Sequence, residues 1–348
     1  MSTREAARYA SARGVAISHT TLSKHERGVS LAPMMLIEVL ASIYGRSPDG
    51  FLGDQPTLTG VRYRALKSVR VKDRRHFEGE ATRWIRLYLK LEEVLETPLR
   101  GKPFPAEPQE MGRELAVRLR ERLGYGNLPV PSVVRVLEKQ GIRILQVASE
   151  ARIDGISARF GEVGVVALNP RVSHDRFRFN AAHELGHHLF GDTREDGGSD
   201  HDGDPRAHDF ASHFLIPDDQ VRKAFDGFSM VKLVRFKELF GVSLAAMVYR
   251  GKQLGVLKPP VYERLWREFS RLGWRTKEPG HVQADHSTRL EELIEEAITS
   301  GRMSRSSIAG FASVEASTIR ARVLEAIGGQ EPQRPDPPSP FLFPGARI

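Results

Sequence analysis

The chain has 348 residues, a net charge of +8, 40% apolar residues and no cysteine. That length suits two or three domains, and the lack of cysteine excludes disulfides and thiolate metal ligands, so any metal site must use His, Asp, Glu and water. There is no apolar run of about 18 residues and no signal peptide, so a membrane partner is not expected and cytoplasmic residence is.

The charge is uneven. Residues 1–105 hold 18 Lys and Arg against 11 Asp and Glu, a balance that fits contact with nucleic acid as well as an ordinary solvated surface. Residues 1–53 read as three short helices. The first runs from Arg4 to Ala12 behind Ser2 or Thr3 as cap. The second covers Thr20 to Arg27 behind Ser18, and the third runs from Ala32 to Tyr44 with Leu36, Leu40 and Ile43 on one stripe. Helix, tight turn and helix, small residues first and polar ones second, is the pattern that places a second helix in the major groove. His19, Thr20, Thr21, Ser23 and Lys24 are its candidate DNA contacts.

On Arg4–Ala7, Ser18–Gly28 and Leu36–Leu52 this segment resembles the Xre/Cro-type helix-turn-helix family. The resemblance implies double-stranded DNA as a partner and, because such domains read paired half-sites, a homodimer. Met1 falls directly before the second helix of the family pattern, so the family's first helix is expected to be missing or to lie upstream.

Residues 56–108 form a basic connector and a long helix. Arg62, Arg64, Lys67, Arg70, Lys72, Arg74 and Arg75 face a single acid, Asp73, and can be read as phosphate contacts or as a solvated connector. The helix, 77–97, carries Trp84, Leu87, Leu91, Val94 and Leu95 on one face. Gly101 to Pro108 is a linker by composition. The next domain spans 109–278 and opens with helices at 109–123 and 131–140. A strand at 142–147 and a hairpin of 156–160 with 163–168 around Gly161 follow, which makes an α+β domain.

The chemistry concentrates in His183-Glu184-Leu185-Gly186-His187. Four residues apart on a helix, His183 and His187 share one face and can reach one metal ion. Glu184 beside them can accept a proton from a water on that metal. Ala181, Ala182, Leu185 and Leu189 form the apolar stripe, and Gly191 ends the helix. A catalytic zinc wants a third protein ligand. Downstream, Asp204 can cap a helix whose first residue is Pro205 and whose end is Pro217. Asp204 and His208 share one face of that helix, and either can be offered to the metal.

From about 115 to 275 the chain resembles the ImmA/IrrE family of zinc metallopeptidases. The resemblance rests on Val165–Asn169, Arg176–His187, Phe210–Pro217 and Leu239–Ser243, in family order and spacing. It implies a mainly helical, zincin-like peptidase domain with a small β-sheet. It also implies Zn²⁺ held by His183, His187 and the residue six before the Phe-Ala pair, here Asp204 where the family has Glu, and Glu184 as catalytic base. The protein substrates so implied are repressors. Helices at 231–241 and 242–251 belong, by the same resemblance, to the C-terminal part of the peptidase. A helical segment at 279–327 and a proline-rich, disordered tail at 328–348 complete the chain.

The expected function is a DNA-associated, zinc-dependent endopeptidase that cleaves a repressor or other regulatory protein. The alternative is a helix-turn-helix regulator whose peptidase-like domain serves as a sensor or oligomerisation module.

Overall fold

A computed structural model describes residues 1–26, 30, 32–45, 56–66, 68–194 and 205–328. The first three helices are α1 (Thr3–Ala12), α2 (His19–Glu26) and α3 (Met34–Tyr44). They enclose a small core of their own, built from Ala6, Ala7, Ala10, Leu22, Leu36 and Leu40. Ser2 caps α1 in a reciprocal box with Glu5, and Ser18 Oγ accepts the Thr21 amide at 3.0 Å. Those bonds satisfy helix donors that would otherwise face water.

Next comes strand β1 (Leu58–Ala65), then α4 (Val71–Leu95), α5 (Gly112–Arg122) and α6 (Val133–Lys139). Three strands follow: β2 (Arg143–Gln146), β3 (Ile153–Phe160) and β4 (Val163–Leu168). The sheet runs β1-β3-β4-β2, antiparallel except for the β2–β4 pair. The helix bearing the metal motif is α7 (His174–Phe190). It is followed by a short 3₁₀ turn, Asp192–Arg194, and by α8 (Pro205–Leu215), α9 (Asp218–Phe225), α10 (Met230–Phe240), α11 (Leu244–Gln253) and α12 (Pro259–Arg271). Helices α13 (Arg289–Thr299), α14 (Arg305–Phe311) and α15 (Ala316–Gly328) close the described chain.

Alternation along the strands sends side chains to two separate cores. Ile144, Val166 and Leu168 join α7 and the helices packed around it. Leu145, Ile156, Val165 and Ala167 face the other way, into a core shared with α4 and α13. The sheet therefore divides two helical layers, and the motif helix lies under one of its faces.

Two stretches differ from the sequence-based expectation. Residues 58–65, assigned above to a connector, are an edge strand of the sheet. Val61, Tyr63 and Ala65 enter the second core, while Arg62 and Arg64 point to the α7 side. The Gly101–Pro108 stretch is docked rather than loose. Lys102 donates its amide to the Lys139 carbonyl at 2.9 Å, Ala106 donates to that of Leu189 at 2.8 Å, and Phe104 lies 4.2 Å beneath the Arg118 guanidinium. The proline-rich stretch from 329 onward lies outside the described residues. Among the described residues, no helix is long and apolar enough to cross a membrane.

Candidate metal centre

Helix α7 is buried on every side: residues 175–187 and Leu189 are all shielded from water. An apolar helix could sit there at no electrostatic cost, but this one carries Asp, Arg, Asn, His and Glu. Buried polar groups demand partners. Near its start the partners are oppositely charged side chains. Asp175 meets Lys237 at 2.8 Å, Arg176 meets Asp154 at 2.8 Å, and Arg178 meets Asp285 at 2.7 Å.

The motif half is different. The Nε2 atoms of His183 and His187 converge to 3.1 Å. Two imidazole nitrogens at ~2.0–2.1 Å from a tetrahedral zinc stand roughly 3.3 Å apart, so this spacing is nearly that of a ligand pair. His187 Nδ1 lies 2.9 Å from Asp192 Oδ2. That carboxylate keeps the proton on Nδ1 and leaves the Nε2 lone pair for a metal, the usual support for a metal-binding histidine. Asp192 is itself held twice: Arg206 reaches its Oδ1 at 3.1 Å, and Arg62 Nη2 donates to its carbonyl at 2.9 Å.

Glu184 Oε2 accepts a hydrogen bond from Ser157 Oγ at 2.5 Å, while its buried Oε1 has no partner among the described residues. His183 Nδ1 is likewise buried and, among the described residues, unpartnered. Burial raises the Glu184 carboxyl above its ordinary range, against the pull of His187, the Ser157 hydroxyl and Arg64. Burial, reinforced by the Arg64 charge, holds His183 well below the usual imidazole value, so it is neutral as a metal ligand must be.

Backbone approach makes this arrangement possible. A side chain on Gly186 would press against Ala207 at 3.1 Å and Phe210 at 3.2 Å, so glycine here lets α8 lie directly on the motif turn. Gly60 in β1 has φ +57°, and a Cβ there would run into the Thr193 carbonyl.

The donor set fits zinc at two positions. Asp204, the expected third ligand, lies outside the described residues, one position before α8 begins at Pro205. His208, the other candidate, is on α8 with its ring 5.1 Å from that of Phe179, beside a small apolar pocket walled by Leu215, Val242 and Tyr249. Among the described residues no three His, Asp or Glu form a metal-holding group. The candidate DNA contacts sit on α2: His19, Thr20, Thr21 and Lys24 are exposed and Ser23 half-buried. The Thr20 and Thr21 hydroxyls each lie 2.8 Å from Ser18 Oγ.

Sequence reading singled out the helix, Glu184 and the two histidines but not Ser157, Asp192, Asn180 or the two arginines of β1 as their neighbours. The alternation of Val61, Tyr63 and Ala65 with Arg62 and Arg64 was the available signal, hidden by the basic composition.

Residues 137–252, about a third of the chain, match the family model described as the IrrE N-terminal-like domain, a peptidase family. The match falls within the stretch resembling ImmA/IrrE proteins and supports a peptidase; it contains α7 and α8 and leaves out β1 and α4. No curated protein and no solved structure matches the chain.

Proposed function

We propose that the protein is a zinc-dependent endopeptidase that works in association with DNA and cuts a transcriptional repressor or another regulatory protein. The observation that carries the reading is the pair of Nε2 atoms 3.1 Å apart, with Glu184 Oε1 on the same buried helix unpartnered among the described residues. His183 and His187 would hold zinc, with Asp204, or His208 in its place, as third ligand. When bound, zinc supplies Lewis acidity, lowering the pKa of a water and polarising a peptide carbonyl. Glu184 Oε1 is the proton acceptor. Ser157 fixes the other oxygen of that carboxylate and so sets its orientation. Asp192 fixes the His187 ring. The raised pKa of Glu184 suits a group that must take a proton and return it to the leaving amine.

The DNA association rests on the resemblance of residues 4–52 to the Xre/Cro type and on the exposed polar side chains of α2. A dimer on paired half-sites belongs to the same reading.

Elemental analysis of the purified protein is expected to find zinc, and comparison of cellular proteomes is expected to reveal proteins that vanish with wild type but persist with Glu184→Gln. Zinc-free protein, or an unchanged proteome, would return the domain to a sensor or oligomerisation role.

A further inference from the structure

Asn180 stands on α7 one turn before Glu184 and three residues before His183, on the face that carries the metal pair. It is 1% exposed. Arg64 Nε on β1 donates to its Oδ1 at 2.6 Å, which settles which end of the carboxamide is oxygen. The other end, Nδ2, carries two N–H donors and is buried without a hydrogen-bond partner among the described residues. His183 Nδ1 and Glu184 Oε1 are in the same condition. Polar atoms on three residues of one helical face, all within Asn180–Glu184, thus keep bonding capacity, and Asn180 belongs with the site rather than with the core behind it.

A buried donor without a partner is destabilising, and native proteins seldom keep one without a use. Holding Arg64 does not explain it. A carboxylate at position 180 would bind a guanidinium about twice as strongly as a neutral amide oxygen does, and would leave no donor behind. What the amide adds is the donor. The acceptor that a peptide brings at regular spacing is its main-chain carbonyl. One helical turn is about 5.4 Å, and an extended chain advances ~3.4 Å per residue, so a donor one turn from Glu184 comes level with a carbonyl roughly one or two residues from the bond being cut. Asn180 shares its burial with His183, Glu184 and His187, so an opening that admits a peptide to the metal pair admits it to Asn180 too. Building on the peptidase reading above, we propose that Asn180 is a substrate-binding residue whose Nδ2 donates a hydrogen bond to a main-chain carbonyl of the bound peptide beside the scissile bond. Such a contact accepts any sequence and fixes the line of the chain across the site.

The test uses the full-length, zinc-loaded protein and a peptide selected from a quenched-fluorescent library by wild-type cleavage. Asn180→Asp keeps an oxygen for Arg64 and removes the donor; Asn180→Ala removes both. Each is expected to raise KM about 10-fold with kcat within about threefold of wild type, the pattern of a contact made equally in the ground and transition states. Calorimetric affinity for the same peptide, measured in the non-cleaving Glu184→Gln background, falls by the same factor, and zinc content per molecule is unchanged. The partner group is found by exchanging the peptide's carbonyl oxygens for sulfur one at a time, which weakens a single acceptor. At one position beside the scissile bond the exchange raises KM for wild type but has no further effect on Asn180→Ala, while at the others the two proteins respond alike. A KM within about twofold of wild type in the variants, a loss confined to kcat, lost zinc, or equal responses at every carbonyl would overturn the proposal. If Asn180→Ala does not fold, Asn180→Asp carries the same comparisons; if neither folds, a wild type indifferent to sulfur at every carbonyl beside the cut overturns it. Wild-type protein that neither holds zinc nor cleaves any library peptide defeats the peptidase reading and this proposal together; active wild type with unchanged KM in the variants defeats only the role of Asn180.

Discussion

The two halves of α7 are equally buried and comparably polar, yet they are completed differently. From Asp175 to Arg178 each charge meets an opposite charge on another element, and those partners carry further bonds. Asp285 accepts the Val133 amide at 2.7 Å and the Ser132 hydroxyl at 2.6 Å; Glu278, which also meets Lys237, accepts the amides of Leu244 and Ala245. From His183 to His187, an imidazole nitrogen and a carboxylate oxygen have no partner among the described residues. The first half fixes the helix in the domain; the second keeps bonding capacity for something else. Burial alone would not have told them apart, and the ion pairing does.

The sharpest way to break this contrast is to cut an ion pair in the first half. Arg178→Ala strands Asp285 and is expected to cost about 3–5 kcal/mol in denaturant unfolding, with zinc content per folded molecule unchanged. A loss of zinc without a loss of stability would show that the two halves are not separable. The reciprocal change lies in the second half. Asp192→Ala removes the support of His187 and is expected to weaken zinc binding about 10–100-fold in competition with a chelator, with little change in the melting temperature of the zinc-free protein.

The smallest effect tests the border of the first half. The His286 ring packs edge-on to Phe177 at 4.7 Å, neither of its nitrogens has a hydrogen-bond partner among the described residues, and burial, with His174 nearby, lowers its pKa to about 4. The folded protein thus refuses a proton that the unfolded chain takes up below its ordinary 6.5. Its contribution is fully present above pH 6.5 and is lost as pH falls toward about 4. His286→Phe is expected to lose roughly 1–2 kcal/mol less than wild type between pH 7 and pH 4.5. An identical pH slope in the two proteins would place the acid sensitivity elsewhere.

Much of this was legible from residue order. The three N-terminal helices, the hairpin around Gly161, α7 and α8 follow from caps, alternation and the spacing of His183, Glu184 and His187. What escaped lies in long-range pairing. Ser157 meets Glu184 across 27 residues, Arg64 meets Asn180 across 116, and Arg62 meets Asp192 across 130. Local pattern carries helix and turn signals, but a strand rich in arginine looks like surface until its partner strand is known. The start of α4 at Val71, earlier than the expected 77, has a similar origin. Its first turn holds no buried residue, so no apolar stripe marks it.

The place of β1 at the sheet edge also bears on how this protein can be taken apart. A fragment cut at residue 109, or at the limits of the family match, would leave behind the strand that covers β3, with Arg64, which reaches the motif helix, and Arg62, which reaches the turn after it. Such a fragment would expose a row of unpaired backbone amides and carbonyls on β3, the kind of edge along which chains stick to one another. The smallest portable unit therefore starts before Leu58, and a chimera joined downstream of it should precipitate where one joined upstream stays in solution.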